Sequence, residues 1–347
     1  MRVSNFLFPQ ATTAADDARV IAETLAEAKL TDELGYDVIW LAEHHFDGIC
    51  AYVDPVAFAA ALAAATTNAK IGFAVAQMAL HHPIRMAEQV SLIDHLSKGR
   101  LIVGLGRGTA YNIYDYQGFG IDHTEAQERF EESETIMFQA WKGEAFEHKG
   151  KFFDLKLPAF RPIPYTKPHP PVIRAAATEH GMLDIARRGQ PFMMNVQSNA
   201  VTAQRMDLFR DTLRGLGMDE ATVAAKADEC WAWRNVFVAE TDAEAERLAP
   251  PAFIEMHEHR TAMRLKVFRE QGLSILPMPA PGATPPAHTT LEHSLVCGSP
   301  ATVLEKLSAV GATGIGGLIM QFRLGALSYE DTAKSLTLFR DKVMPHL

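Results

Sequence analysis

Apolar positions along this 347-residue chain follow two alternating periods. Short runs with little polar interruption lie at 3–8, 37–42, 71–78, 101–105, 172–176, 191–196, 233–239 and 314–322. They read as strands buried on both faces, the pattern of a parallel sheet. Between them run longer stretches with apolar residues three and four apart. The first, 14–34, carries Ala18, Ile21, Leu25 and Ala28 at helical spacing and stops at Gly35. Asp54-Pro55 opens the next helix as N-cap and first helical residue. Pro83 starts another that closes at Gly99, and 124–142 is a fourth, rich in acids. Further helices are predicted up to 188, over 200–216, from 242, after Ser299-Pro300 and over 328–343.

The alternation breaks once. EAFEHKGKFF (144–153) reads as a hairpin around Lys149-Gly150, and 158–171 carries six prolines, which excludes helix and central strand. Eight strand–helix units predict a (β/α)8 TIM barrel with insertions, spanning 1–347 as a single domain. The insertions are the hairpin and Pro-rich stretch at about 144–171 and a lid-like loop at about 270–292. That loop exceeds ordinary connection lengths, and its segment SILPMPAP (274–281) suits a cover over an apolar ligand.

Net charge changes the picture only by exclusion. At −9 and without a basic stripe, the chain does not read as a nucleic-acid binder. Cys50, Cys230 and Cys297 are far apart and make neither a disulfide framework nor a zinc spacing. No run approaches the ~18 apolar residues of a membrane span, so a cytoplasmic protein without membrane attachment is expected.

The candidate chemistry sits at predicted strand ends. In GYDVIWLAEHHFDG (35–48) the second strand delivers Glu43, His44 and His45 to its C-terminal end, where barrel active sites are built. Histidine is also the side chain that titrates near neutral pH. Adjacent residues of an extended chain point to opposite faces, which argues against a metal shared by the pair, and no metal site is expected. The third strand is followed by His81, His82 and Pro83, the fourth by Gly106-Arg107-Gly108, the fifth by Ala175-Ala176-Ala177-Thr178 with Gly181 beyond. Small residues before a helix N-terminus suit an anionic ligand, and Arg107 suits a phosphate. The spacing is not a doubly wound dinucleotide fingerprint. Two blander readings stay open: a buried His beside a solvated one, and glycines that turn the chain while Arg107 pairs with a surface acid.

LAEHHF (41–46), HHPIRMAEQVSLIDHLSKGR (81–100), GLGRG (104–108) and TLFRDKVMPHL (337–347) occur in order. Through these motifs the chain resembles the bacterial luciferase-like flavin-dependent monooxygenases along essentially its whole length. The resemblance implies a homodimeric barrel that takes reduced FMN (FMNH2) from a separate flavin reductase. Reaction with O2 as co-substrate would give a C4a-peroxyflavin that places one oxygen atom on a small apolar organic substrate. It implies His44 as the catalytic His, with His45 and Glu43 completing the polar cluster. Ala74 and Val75 fall where the family often has a non-proline cis peptide beside the flavin. Gly106, Arg107, Ala176, Ala177, Thr178 and Gly181 fall on the cofactor's phosphate side, and Asn195 and Val196 at its ring edge. Phe6, Tyr111, Tyr114 and His82 would wall the substrate side, with Asp115 near the same rim. The chain departs from the family pattern at Ala177-Thr178, where many members have two serines, and at Gly181, which replaces a hydroxyl residue. Two alternatives keep the fold. A deazaflavin (F420)-dependent hydride-transfer enzyme would want more basic residues than Arg107 and Arg174 around the tail. A non-catalytic flavin-binding partner subunit typically lacks the first His, which this chain retains.

Overall fold

The computed structural model describes residues 1–108, 112–272 and 287–347. Eight parallel strands form a closed ring: Arg2–Leu7, Val38–Leu41, Lys70–Phe73, Leu101–Gly106, Val172–Ala176, Phe192–Met194, Trp231–Val238 and Gly317–Gln321. Each pairs with the next, and the last returns to the first with Gly317 opposite Arg2 and Leu318 opposite Val3. Closure leaves the ring without an unpaired edge. All eight coincide with the apolar runs of the sequence, and the fold is the expected (β/α)8 barrel.

The barrel interior is filled rather than hollow. Trp40 and Trp231 are fully buried and meet edge to face, ring centroids 5.1 Å apart. Glycines make room for them. A Cβ on Gly72 would stand 2.2 Å from the Trp40 ring, and one on Gly317 2.5 Å from the Trp231 ring. Phe6, Ile102, Ile173, Met193 and Ile319 complete this plug. Outside the ring, helices including Pro55–Ala65, Pro83–Ser97 and Ala126–Ala140 bury one apolar layer, and Glu179–Arg187, Asn199–Gly215 and Pro300–Gly311 another. With the barrel filled below, ligand space remains at the strands' C-terminal mouth.

The insertion is an antiparallel hairpin of Phe146–Lys149 with Asp154–Leu157, so the turn lies just after Lys149. Several elements among the described residues were not predicted. Leu295–Gly298 is a further parallel strand that adds to Trp231–Val238 outside the closed ring. Its four residues are too few to show a period. Glu220–Asp228 is a short helix capped by the Asp219 side chain, and Ile113–Gly118 is another. The helix begun at Asp242 continues to Glu270 through Pro250 and Pro251, carrying its C-terminal half to the barrel mouth. Most of the predicted lid, with SILPMPAP, lies outside the described residues, as does Tyr111. No helix among the described residues is long and apolar enough to cross a membrane.

Candidate active site

The second strand ends at Leu41, and beyond it the extended chain sends alternate side chains to opposite sides. Glu43 is buried, its side chain 1 % exposed, at the centre of a hydrogen-bonded cluster. Its Oε1 accepts from His45 Nε2 and from His81 Nε2, both at 2.8 Å, and its Oε2 accepts from the Gln77 backbone N–H at 2.5 Å. The Gln77 side-chain amide donates to the Glu43 carbonyl (2.9 Å) and to Asp115 Oδ2 (3.2 Å). Asp115 Oδ1 accepts from the His45 backbone N–H at 3.2 Å. The cluster ties together three segments distant in sequence, at 43–45, 77–81 and 115.

Its electrostatics follow from burial and pairing. Burial alone would raise the Glu43 carboxyl, but the His81 and His45 imidazoles and the Gln77 N–H hold it at about 2. Burial lowers His81, yet the Glu43 carboxylate outweighs this and its pKa is raised. Burial pushes Asp115 up to about 6. A depressed carboxylate contributes stability present above its ordinary value of 4.5 and lost as pH falls through about 2. A raised imidazole contributes stability present below 6.5 and lost as pH rises through its folded value. Asp115 acts in the same direction as His81, since a raised carboxyl favours the protonated, low-pH side. His44, whose pKa burial lowers from 6.5 to about 4, acts in the opposite direction but is common to both proteins, so the fall in thermal midpoint from about pH 6 to about pH 8.5, measured relative to wild type, is expected to be smaller in His81→Gln. Scanning calorimetry of both proteins across pH checks this; the same pH dependence in His81→Gln as in wild type contradicts the assignment.

His44 faces the other way. Its ring meets Phe8 at 4.9 Å between centroids, inclined at 64°. Burial lowers its pKa to about 4, with Arg260 and Arg264 adding to the effect and Asp47 opposing it. The imidazole is thus neutral at pH 7, with one nitrogen donating and one accepting.

His44 and Glu43 border a cavity of about 240 Å³ at the barrel mouth. Ala74, Val75, Ala175, Ala176 and Ala177 give it a wall of small residues, while Met193, Met194, Trp233 and Ile319 supply apolar surface. Asn195 stands at the exposed edge, its Oδ1 accepting from Gln197 at 2.8 Å. The Ala74-Val75 peptide is cis. Gly106 admits Val75, since a Cβ there would lie 2.5 Å from Val75 Cγ2. Gly108, at φ +92°, lets the chain pass Gln77, whose Oε1 is buried without a partner.

On the rim, Thr178 caps the helix Glu179–Arg187, its hydroxyl accepting from the Gly181 N–H at 3.1 Å. Arg107 is exposed and has no carboxylate partner among the described residues, and its carbonyl accepts from the Tyr116 hydroxyl at 2.7 Å. Arg174 does not join it: it points outward, forms a bidentate pair with Glu134 and covers the Phe130 ring.

Several residues expected at the substrate wall or the ring edge lie elsewhere. Phe6 is buried within the barrel plug, 4.1 Å from the Trp233 ring, and Val196 is buried behind the cavity edge. His82 is exposed and meets Phe153 of the hairpin at 5.4 Å, away from the cavity. The two residues before Pro83 are extended, so their side chains diverge, and His81 is the one that reaches Glu43. Tyr114 is half-buried beside Arg264, and Asn112 accepts from Arg264 Nε at 2.9 Å. Gln77, Trp233, Arg260 and Arg264 were not anticipated. Only Gln77 left a signal, as the polar residue ending an apolar run.

The sequence model of the luciferase-like monooxygenase family matches residues 1–316. Limonene 1,2-monooxygenase of Rhodococcus erythropolis is 27 % identical over 241 residues, covering 69 % of this chain and 61 % of that protein. Among solved structures, the monooxygenase RslO1 from Streptomyces bottropensis superposes with a TM-score of 0.83 at 24 % identity, covering 100 % of this chain and 99 % of its own. The oxygenating constituent of 3,6-diketocamphane monooxygenase from the Pseudomonas putida CAM plasmid, solved with FMN, gives 0.78 at 20 % identity, covering 100 % and 98 %. At those identities the two structures speak for the fold, and the family match spans far more than half the chain. The chain belongs to the luciferase-like monooxygenase family and is a flavin-dependent oxidoreductase.

Proposed function

We propose that this protein is the oxygenase of a two-component system, taking FMNH2 from a separate reductase and adding one atom of O2 to a small organic substrate. The observation that carries the reading is His44 and the Ala74-Val75 segment bordering one cavity whose rim holds a helix N-terminus and Arg107. The residues fit a flavin. A cavity of about 240 Å³ is below the ~300–1,000 Å³ of whole-ligand sites, so it suits a ring system with its tail out over the rim. The wall of small residues suits a flat ring, and the orphaned Gln77 Oε1 offers an acceptor near it. At the rim, Ala177, Thr178, the backbone near Gly181 and Arg107 would hold a phosphate.

Bound reduced flavin supplies the electrons that activate O2, one atom going to substrate and the other to water. The chain's own residues do the rest. His44, uncharged at neutral pH, holds a proton on one imidazole nitrogen and accepts one at the other. Glu43 fixes His45 and His81 and so the strand end that carries His44. Trp233, Met193, Met194 and Ile319 exclude water. A homodimer is part of the proposal, supported by Leu92 and Leu96, which stand exposed on the helix Pro83–Ser97. A cytoplasmic setting completes it, where a reductase would supply the flavin.

Anaerobic titration tests the cofactor. FMNH2 is expected to bind, and Arg107→Ala to weaken it about 10- to 100-fold, the effect of one charge-assisted hydrogen bond. Tight binding of reduced F420 with no later O2 uptake would overturn the reading. Arg174, committed to Glu134, does not stand beside Arg107 to hold F420's longer anionic tail.

A further inference from the structure

Beside His44, two arginines that do not line the cavity gather positive charge. Arg260 and Arg264 lie one turn apart on the helix Asp242–Glu270, so they share a face. The Arg260 guanidinium carbon stands 4.1 Å from the centre of the Phe8 ring, the same ring that His44 meets at 4.9 Å. Arg264 donates to Asn112 and contacts Tyr114 on the opposite rim. Both arginines come close enough to His44 to act on its charge state.

Arg260 is short of counter-charge among the described residues. Asp47 acts on Arg260, and its Oδ1 already accepts from the backbone N–H groups of Ile49 and Cys50 at 2.9 and 3.0 Å. Arg260 forms no ion pair among the described residues, and its Nε is buried without a partner. The stretches 109–111 and 273–286 contain no Asp or Glu that could neutralise it. A guanidinium left so is costly, and its fork matches a carboxylate bidentately.

We infer that the substrate is an organic carboxylate, its anionic group held by Arg260 with Arg264 while its apolar part extends past Phe8 toward His44. This rests on the flavin-oxygenase reading for what happens to the substrate, but not for its binding.

The test is isothermal titration with two matched pairs, benzoate against benzamide and octanoate against octanamide, with and without oxidised FMN. In at least one pair the carboxylate is expected to bind tenfold or more tightly than its amide, with FMN present. That preference should fall in Arg260→Met, survive in part in Arg260→Lys, and leave FMN affinity unchanged. Should Arg260→Met not fold, wild-type binding across a KCl series decides, since only the carboxylate's affinity should drop with salt. No carboxylate advantage in either pair overturns the inference. So does a preference that persists in folded Arg260→Met, or an Arg260→Met defect in FMN binding alone, which would assign the cation to the flavin. Carboxylate preference in a protein that fails to bind flavin would sink the proposed cofactor and leave this inference standing.

Discussion

His44→Ala is expected to lower oxygenated product by about 10²–10⁴-fold while O2 uptake continues, the electrons leaving as hydrogen peroxide. The reasoning starts from protonation. An imidazole held at about 4 is neutral at working pH, so it can give a hydrogen bond at one nitrogen and take a proton at the other. Its ring is set by Phe8 rather than by a carboxylate, and it borders the cavity beside Ala74 and Val75. Alanine removes this group and opens room for water, while the cofactor walls at Ala175–177 and the Arg107 rim stay in place. Flavin binding should therefore survive and coupling should not. An oxygen electrode, a peroxide assay and product quantification on the same sample separate the two. Unchanged coupling would remove His44 from the chemistry and favour a non-catalytic, flavin-binding subunit.

Glu43→Ala is expected to have the largest effect on stability, about 3–5 kcal/mol, as for one partner removed from a buried charge cluster. The carboxylate accepts three hydrogen bonds in a site from which water is excluded. Without it, two imidazoles and the Gln77 N–H lose their acceptor, and the deleted side chain leaves a cavity. Glu43→Gln should cost less, since the amide oxygen still accepts, but it removes the charge that raises His81. Urea unfolding followed by circular dichroism measures both. A Glu43→Ala midpoint within error of wild type would mean the cluster is not structural.

The motif comparison read the family correctly from four short segments, and the expected barrel and its eight strands are those found. The residue-level expectations divide by how local their signal was. Glu43 and His44 follow directly from the end of an apolar run, and the structure brings both to the mouth cavity. Ala74, Val75, Ala176, Ala177 and Asn195 also line it, and His45 stands behind it against Glu43. Arg107, Thr178 and Gly181 lie along the rim, so their part in holding a tail awaits the titration.

What the chain determines by itself is period and punctuation. Both-face apolar runs, Pro at helix starts and Gly at helix ends are local, and a parallel barrel follows from repeating them eight times. What only tertiary structure decided is which side chains share a space. His81, not His82, reaches Glu43, because an extended pair diverges and only one direction points inward. Arg174 is spent on Glu134 outside the ring, and Arg260 and Arg264 arrive at His44 from some two hundred residues away. Such meetings depend on the closure of the barrel and the reach of one long helix, and periodicity along the chain carries no record of either.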